Sequence, residues 1–187
     1  EKLRRQLLLD VAHEMRTPLT TMSGLLEGLQ HNMIPENQRE RSFELIQRET
    51  HRLTRLVNEN LDYEKILNRQ IILNKQEIRA SHLFKQIKAQ LSGKAKLKNN
   101  RLVIDTAEDV MIWADHDRIV QILINLVTNA IQFSENNDII MKASKLPTVT
   151  EIKIIDHGIG IDKIHLKSIW ERFYKVDESR KSNEFGE

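Results

Sequence analysis

The sequence predicts two structural classes in series, a long α-helical hairpin followed by an α/β sandwich. Three observations lead there. Apolar residues hold a seven-residue repeat in the N-terminal third, short β-like runs alternate with helical ones beyond it, and one later helix carries a face of amides where charges are usual.

The heptads run from Leu8 to Met33. Leu8, Met15, Met22 and Leu29 form one track and Ala12, Leu19, Leu26 and Met33 a second, which is the seam of a coiled coil. A break at residues 31–36 follows, with Pro35 suited to the first turn of a new helix. Phe43, Ile46, Leu53 and Val57 renew the pattern to about Leu67. A single hairpin leaves its seam half covered, and pairing with a second copy completes a four-helix bundle. A homodimer is therefore expected.

Beyond about Arg69 the heptads stop, which divides the chain into residues 1–68 and 69–187. Residues 71–78 read as a strand region, 81–96 as a helix capped by Ser81, and 101–105 and 110–114 as strands. A long helix over 115–133 comes next. Residues 138–144 and 149–156 alternate like a hairpin around Leu146-Pro147, so the expectation is helices laid on one antiparallel or mixed sheet.

Composition bounds the function. With 187 residues, 40% hydrophobic and 30% charged, the chain can bury a core. A net charge of only +2 gives no case for nucleic acid or an anionic membrane as partner. The absence of cysteine excludes thiol redox chemistry, disulfides and thiolate zinc sites, and suits a reducing compartment. No apolar run approaches the roughly 18 residues of a membrane-spanning helix. The chain opens at Glu1 already reading as helix, as expected for a cytoplasmic piece of a longer protein whose sensor or membrane segments lie elsewhere.

Chemistry concentrates in four places. The first is Ala12-His13-Glu14-Met15-Arg16-Thr17-Pro18-Leu19-Thr20. His13 follows the seam residue Ala12 and so points about 130° from the seam centre, outward from the bundle. An exposed imidazole can meet a reagent and offers a nucleophilic nitrogen. Glu14 can orient that ring or take its proton, although adjacent helical residues do not face each other. Thr17, one turn on, shares the face of His13, where its hydroxyl can position a water near a phosphorylated partner. Pro18 removes a backbone donor inside the helix at a cost of about 3 kcal/mol and should bend it beside His13. The chain has seven histidines, and a lone one on a solvated face means little; the neighbours single this one out.

The second place is the helix over 115–133. Ile119, Ile122, Leu123, Leu126, Val127 and Ile131 form its apolar face, and Arg118, Gln121, Asn125, Asn129 and Gln132 its polar stripe. A merely solvated face favours Glu and Lys over the poor helix former Asn. Two asparagines one turn apart offer carboxamide oxygens to a hydrated magnesium ion that bridges phosphates. The third place is Ile154-Ile155-Asp156-His157-Gly158-Ile159-Gly160-Ile161. There an ionised Asp156 at a strand end can accept a hydrogen bond from an adenine amino group, and the glycines let backbone approach the flat base. The fourth is residues 169–177, where Trp170, Phe173 and Tyr174 read as core aromatics.

In these four places, and in their order, the chain resembles the sensor histidine kinases of two-component systems. The run at His13 is similar to their phosphoacceptor box, residues 117–130 to their N box, residues 154–161 to their first glycine box and residues 169–177 to the start of their ATP lid. The resemblance implies an N-terminal dimeric four-helix bundle and a C-terminal α/β sandwich that binds ATP. It implies that His13 is phosphorylated from ATP, with Glu14 as general base and Thr17 used in dephosphorylating the partner. It further implies that Asn125 ligates Mg2+, that Asn129, Gln132 and Lys175 meet phosphate, and that Asp156, Gly158 and Gly160 hold adenine. The implied partners are a second copy of the chain and the receiver domain of a response regulator, whose aspartate takes the phosphoryl group.

Some positions depart from the family. Met15 stands where leucine is more frequent, Gln132 where lysine is usual, Phe133 where tyrosine is common and Lys175 where arginine is common. The loss of charge at Gln132 should weaken phosphate binding. The expected second glycine box is absent, because the sequence stops at Glu187: either the sequence is part of a longer chain or the nucleotide domain lacks its C-terminal part. That favours, as a competing function, a dimeric phosphotransfer scaffold whose ATP domain no longer turns over. An ATP-driven conformational clamp is a third reading, against which an outward-facing His13 argues.

Overall fold

In the first third of the chain, heptad spacing becomes two helices. The computed structural model describes residues 2–170, with side chains from residue 9 onward, and clusters into two units, residues 1–71 and 72–187. Helix α1 spans Lys2–Gln30 and helix α2 spans Glu36–Leu67. Pro35 sits at the N-cap of α2 with φ −54° and ψ 144°; its carbonyl accepts from Gln38 N at 2.8 Å, closing the first turn. Helix α1 continues through Pro18, whose ring is buried.

The two heptad tracks have different fates. Met15 and Met22 are half-buried and Leu29 is buried, and Leu56 of α2 is buried as well. On the second track Leu19 is 49%, Leu26 51% and Met33 77% exposed, and Phe43 and Leu61 of α2 are similarly bare. One chain therefore covers one track only. An open groove follows the bare track past Ala12, Leu19, Ser23 and Gly24.

The second unit runs β1 (Lys75–Arg79), α3 (Ala80–Leu97), β2 (Arg101–Thr106), β3 (Met111–Asp115), α4 (His116–Gln132), β4 (Asp138–Lys145) and β5 (Thr150–Ile155). Two 3-10 turns follow at Lys163–His165 and Ser168–Trp170. The strands form two sheets where one was expected. Strands β1 and β3 pair antiparallel, with Ile78 opposite Ile112. Strand β4 lies between β2, parallel with Leu102 opposite Ile139, and β5, antiparallel with Met141 opposite Ile154. Strand β3 passes straight into α4, and β2 takes its partner from beyond that helix.

The core lies between helices and sheets. Leu83, Phe84, Ile87 and Leu91 of α3 and Leu123, Val127 and Ile131 of α4 pack with Ile78, Leu102, Ile112, Ile139 and Met141. Each such side chain contributes about 1.5–3 kcal/mol by leaving water. Ser81 does not cap α3 as the sequence suggested. The helix starts one residue earlier, its first amide, Ala80 N, donates to Val110 O at 3.0 Å, and the buried Ser81 hydroxyl bonds the Glu108 carboxylate at 3.0 Å. Asn100, also buried, donates to Ser134 O at 2.9 Å and Ile131 O at 3.3 Å and accepts from Asn137 N at 3.2 Å. This one amide ties the end of α4 to the starts of β2 and β4.

Candidate functional site

The chain carries two groups of chemically active residues, one in each unit. In the hairpin, His13 and Thr17 are both exposed, one turn apart on the same face of α1. Thr17 accepts a bond at its backbone carbonyl from Thr21 Oγ1 at 3.1 Å. Glu14 is half-buried and turns toward α2, where Arg52 Nη2 lies 3.6 Å from its Oε2. Arg52 also lies 3.7 Å from Glu49, one turn back on α2. Heptad reading could not find Arg52, because residue spacing within each helix says nothing of which residues meet across the turn.

In the second unit, α4 is aimed by its N-terminus. Asp115 Oδ1 accepts from Arg118 N at 3.2 Å, capping the helix, while Oδ2 accepts from Asn74 N at 2.9 Å. The Asn74 amide, then the Arg118 amide, hold the Asp115 carboxyl below the usual carboxylate range. From this start Asn125, Asn129 and Gln132 all reach the exposed face. Arg118 Nη1 bonds Gln121 Oε1 at 3.2 Å on the same stripe.

The apolar face of α4 needs correcting. Leu123, Val127, Ala130 and Ile131 are buried, but Ile122 is 52% and Leu126 48% exposed. Together with Phe133, 44% exposed, they border the asparagine stripe. The sequence grouped Ile122 and Leu126 with the core because a 3.6-residue period cannot separate the edge of an apolar face from its centre.

The segment after β5 closes onto the end of α4. Ile159 N donates to Phe133 O at 3.1 Å, and Gly158 N donates to Asp156 Oδ1 at 2.8 Å. A Cβ on Gly158 would sit 2.3 Å from Phe133 O, so only glycine fits there. Gly160 has φ +71°, the left-handed region. Asp156 is thus fixed at one carboxylate oxygen beside the helix that carries Asn129 and Gln132. Lys98 donates from Nζ to the Gln132 carbonyl at the same helix end.

Trp170 is 87% exposed, which removes it from the core aromatics expected at the end of the chain. Phe173, Tyr174 and Lys175 lie outside the described residues. Among the described residues no group of three or more His, Cys, Asp or Glu side chains can hold a metal ion. A magnesium ion at this face would take one amide oxygen from Asn125 and its other ligands from phosphate and water, the coordination that ion favours.

A helical hairpin with an exposed histidine, joined in one chain to an α/β unit with an amide-lined helix, is the arrangement that the resemblance to sensor histidine kinases implied. The family comparisons agree: residues 3–69 match the His Kinase A (phospho-acceptor) domain, and residues 114–187 match the Histidine kinase-, DNA gyrase B-, and HSP90-like ATPase family. The chain belongs to the sensor histidine kinases.

Among curated relatives, the sensor histidine kinase YclK of Bacillus subtilis (strain 168) is 48% identical over 187 residues, covering 100% of this chain and 40% of that protein. The phosphate regulon sensor protein PhoR of Pseudomonas aeruginosa is 29% identical over 188 residues, covering 100% of this chain and 42% of that protein. The chain therefore spans less than half the length of these relatives. Among solved structures, histidine kinase ThkA in complex with the response regulator protein TrrA superposes with a TM-score of 0.76 at 27% identity, over 91% of this chain and 50% of that one. The Acinetobacter baumannii histidine kinase AdeS shares the fold, with a TM-score of 0.74 at 24% identity over 81% of this chain and 76% of that one.

Proposed function

We propose that this chain is the catalytic core of a sensor kinase that phosphorylates His13 from ATP and passes the phosphoryl group to an aspartate of a response regulator. The observation that carries the reading is the exposed pair His13 and Thr17, one turn apart on one face of α1. Residues 1–68 serve as the dimerisation and phosphotransfer unit and residues 69–187 as the ATP unit. The bare heptad track of Leu19, Leu26 and Met33 is where a second copy packs.

In the first step a nitrogen of the His13 imidazole forms a bond to the γ-phosphorus of ATP, and the bond from that phosphorus to the bridging oxygen breaks. ADP leaves, and Glu14 takes the imidazole proton. Phosphoryl transfer depends on positioning and charge more than on covalent help from the protein. Asp156 accepts from the adenine amino group through the oxygen that Gly158 N does not occupy. Asn129, Gln132 and Lys175 contact the phosphates, and Asn125 offers its amide oxygen to Mg2+, which supplies charge neutralisation when bound. In the second step the phosphorus–nitrogen bond of phospho-His13 breaks as the partner's aspartate attacks. Thr17 serves the reverse duty, holding the water that hydrolyses the aspartyl phosphate. Stimulus sensing and any membrane anchoring belong to segments outside this chain, none of whose described helices is long and apolar enough to cross a membrane.

Incubation with γ-labelled ATP tests this. Label that is acid-labile and alkali-stable, and that disappears in His13→Gln while nucleotide binding persists, is the expected result. Acid-labile label surviving in His13→Gln would overturn the assignment.

A further inference from the structure

Glu14 follows His13 in sequence, but the two side chains leave α1 in different directions. Consecutive helical residues are about 100° apart around the axis, and here His13 is exposed while Glu14 faces α2. Its carboxylate lies 3.6 Å from Arg52 Nη2, and Arg52 Nη1 lies 3.7 Å from Glu49 Oε2. Both separations exceed hydrogen-bond length, so one guanidinium is shared between two carboxylates by charge attraction alone. The three side chains are only partly exposed, at 30% for Glu14, 35% for Arg52 and 18% for Glu49.

A carboxylate held toward α2 is not placed to receive a proton from an imidazole on the outer face. To act as base, Glu14 must leave Arg52. Glu49 makes that departure cheap, because the arginine keeps an acidic partner on its own helix. We propose that Arg52 is a positioning residue that holds Glu14 away from His13, so that the base engages the acceptor only when the cross-hairpin pair opens. The same pair makes the base sensitive to the register of α2 against α1, since any shift of α2 moves its counter-ion.

This inference rests on His13 as acceptor and Glu14 as base, and the test separates the two. Initial autophosphorylation rates are measured over a range of ATP concentrations for the parent protein, Arg52→Gln, Arg52→Lys, Glu14→Gln and the Arg52→Gln/Glu14→Gln double variant. A partly exposed ion pair is weak, so releasing the base should raise kcat about 2- to 5-fold. The KM for ATP should not move, because Arg52 belongs to the hairpin and not to the nucleotide unit. Arg52→Lys should return the rate toward that of the parent, and Arg52→Gln should change nothing once Glu14 is Gln. A slower or unchanged Arg52→Gln, or the same acceleration in both backgrounds, overturns the positioning role. A Glu14→Gln protein as fast as the parent overturns the base assignment itself, and the inference with it.

Discussion

Replacing Gly158 with alanine tests whether the segment after β5 is anchored to α4 and whether that anchoring sets nucleotide affinity. The added Cβ would lie 2.3 Å from Phe133 O, 3.0 Å from Phe133 C and 2.9 Å from Asp156 Oδ1. Two of these atoms are backbone, so no rotamer change relieves them. The loop must lift off the end of α4, which sacrifices the Ile159 N–Phe133 O bond and the Gly158 N–Asp156 Oδ1 bond. Overpacking of this kind costs about 1–3 kcal/mol, and each lost hydrogen bond about 1 kcal/mol. A stability loss of about 3–5 kcal/mol is expected in denaturant unfolding. Asp156 would move with the loop, so calorimetric titration with ATP should show affinity reduced by about tenfold or more, the equivalent of one lost hydrogen bond of about 1.4 kcal/mol. Gly93→Ala is the control: nothing lies within 4 Å of where a Cβ would stand on this residue of α3, and removing a helical glycine should stabilise by about 0.5–1 kcal/mol. A Gly158→Ala protein with the stability and ATP affinity of the parent would refute the reasoning.

Two further outcomes are expected. Thr17→Ala removes the hydroxyl but keeps the carbonyl that Thr21 bonds, so autophosphorylation should persist. Dephosphorylation of a partner's aspartyl phosphate should fall about tenfold, the rate equivalent of one water-holding hydrogen bond of about 1.4 kcal/mol; parallel losses in both assays would remove the division of labour. Asp115→Asn keeps a cap but deletes the charge. Because the Asn74 and Arg118 amides depress the folded-state pKa of Asp115, its stabilising effect is complete above the ordinary carboxylate range near pH 4 and is lost as pH falls through the lower folded value. The melting-temperature gap between parent and variant should therefore be present at pH 7 and close below pH 4. A gap independent of pH would show that the carboxylate charge is not what the two amides recognise.

The hairpin was legible because a seven-residue period is a long, redundant signal, and its end at Leu67 is where α2 stops. Most element boundaries in the second unit also followed from alternation and from Asp115 as a helix start, although the strand expected over 71–78 begins only at Lys75. Pairing beyond the β4–β5 hairpin, which the alternation around Leu146-Pro147 did predict, was not legible. Nothing local says that β2 joins β4 in parallel while β1 takes β3, since both choices bury the same alternating residues. Ser81 misled because a serine before an apolar run resembles a cap, whereas here its hydroxyl answers Glu108, distant in sequence. The motif residues could be named from sequence, but the contacts that hold them could not: Arg52 on Glu14, and Phe133 O under Gly158, depend on segments brought together only by the fold.

The parallel pairing of β2 with β4 has a kinetic consequence. A parallel pair cannot be closed by a tight turn, and Arg101 meets Asp138 across a sequence separation of 37 residues. Everything between them, β3 and the whole of α4 included, lies inside the loop that this pairing closes. The entropy of closing it must be overcome before the strands reward each other. The hairpin of α1 and α2, whose two helices are joined by a short turn, faces no such delay. During folding, then, the helix bearing Asn125 and Asn129 acquires its final orientation only once β4 has docked.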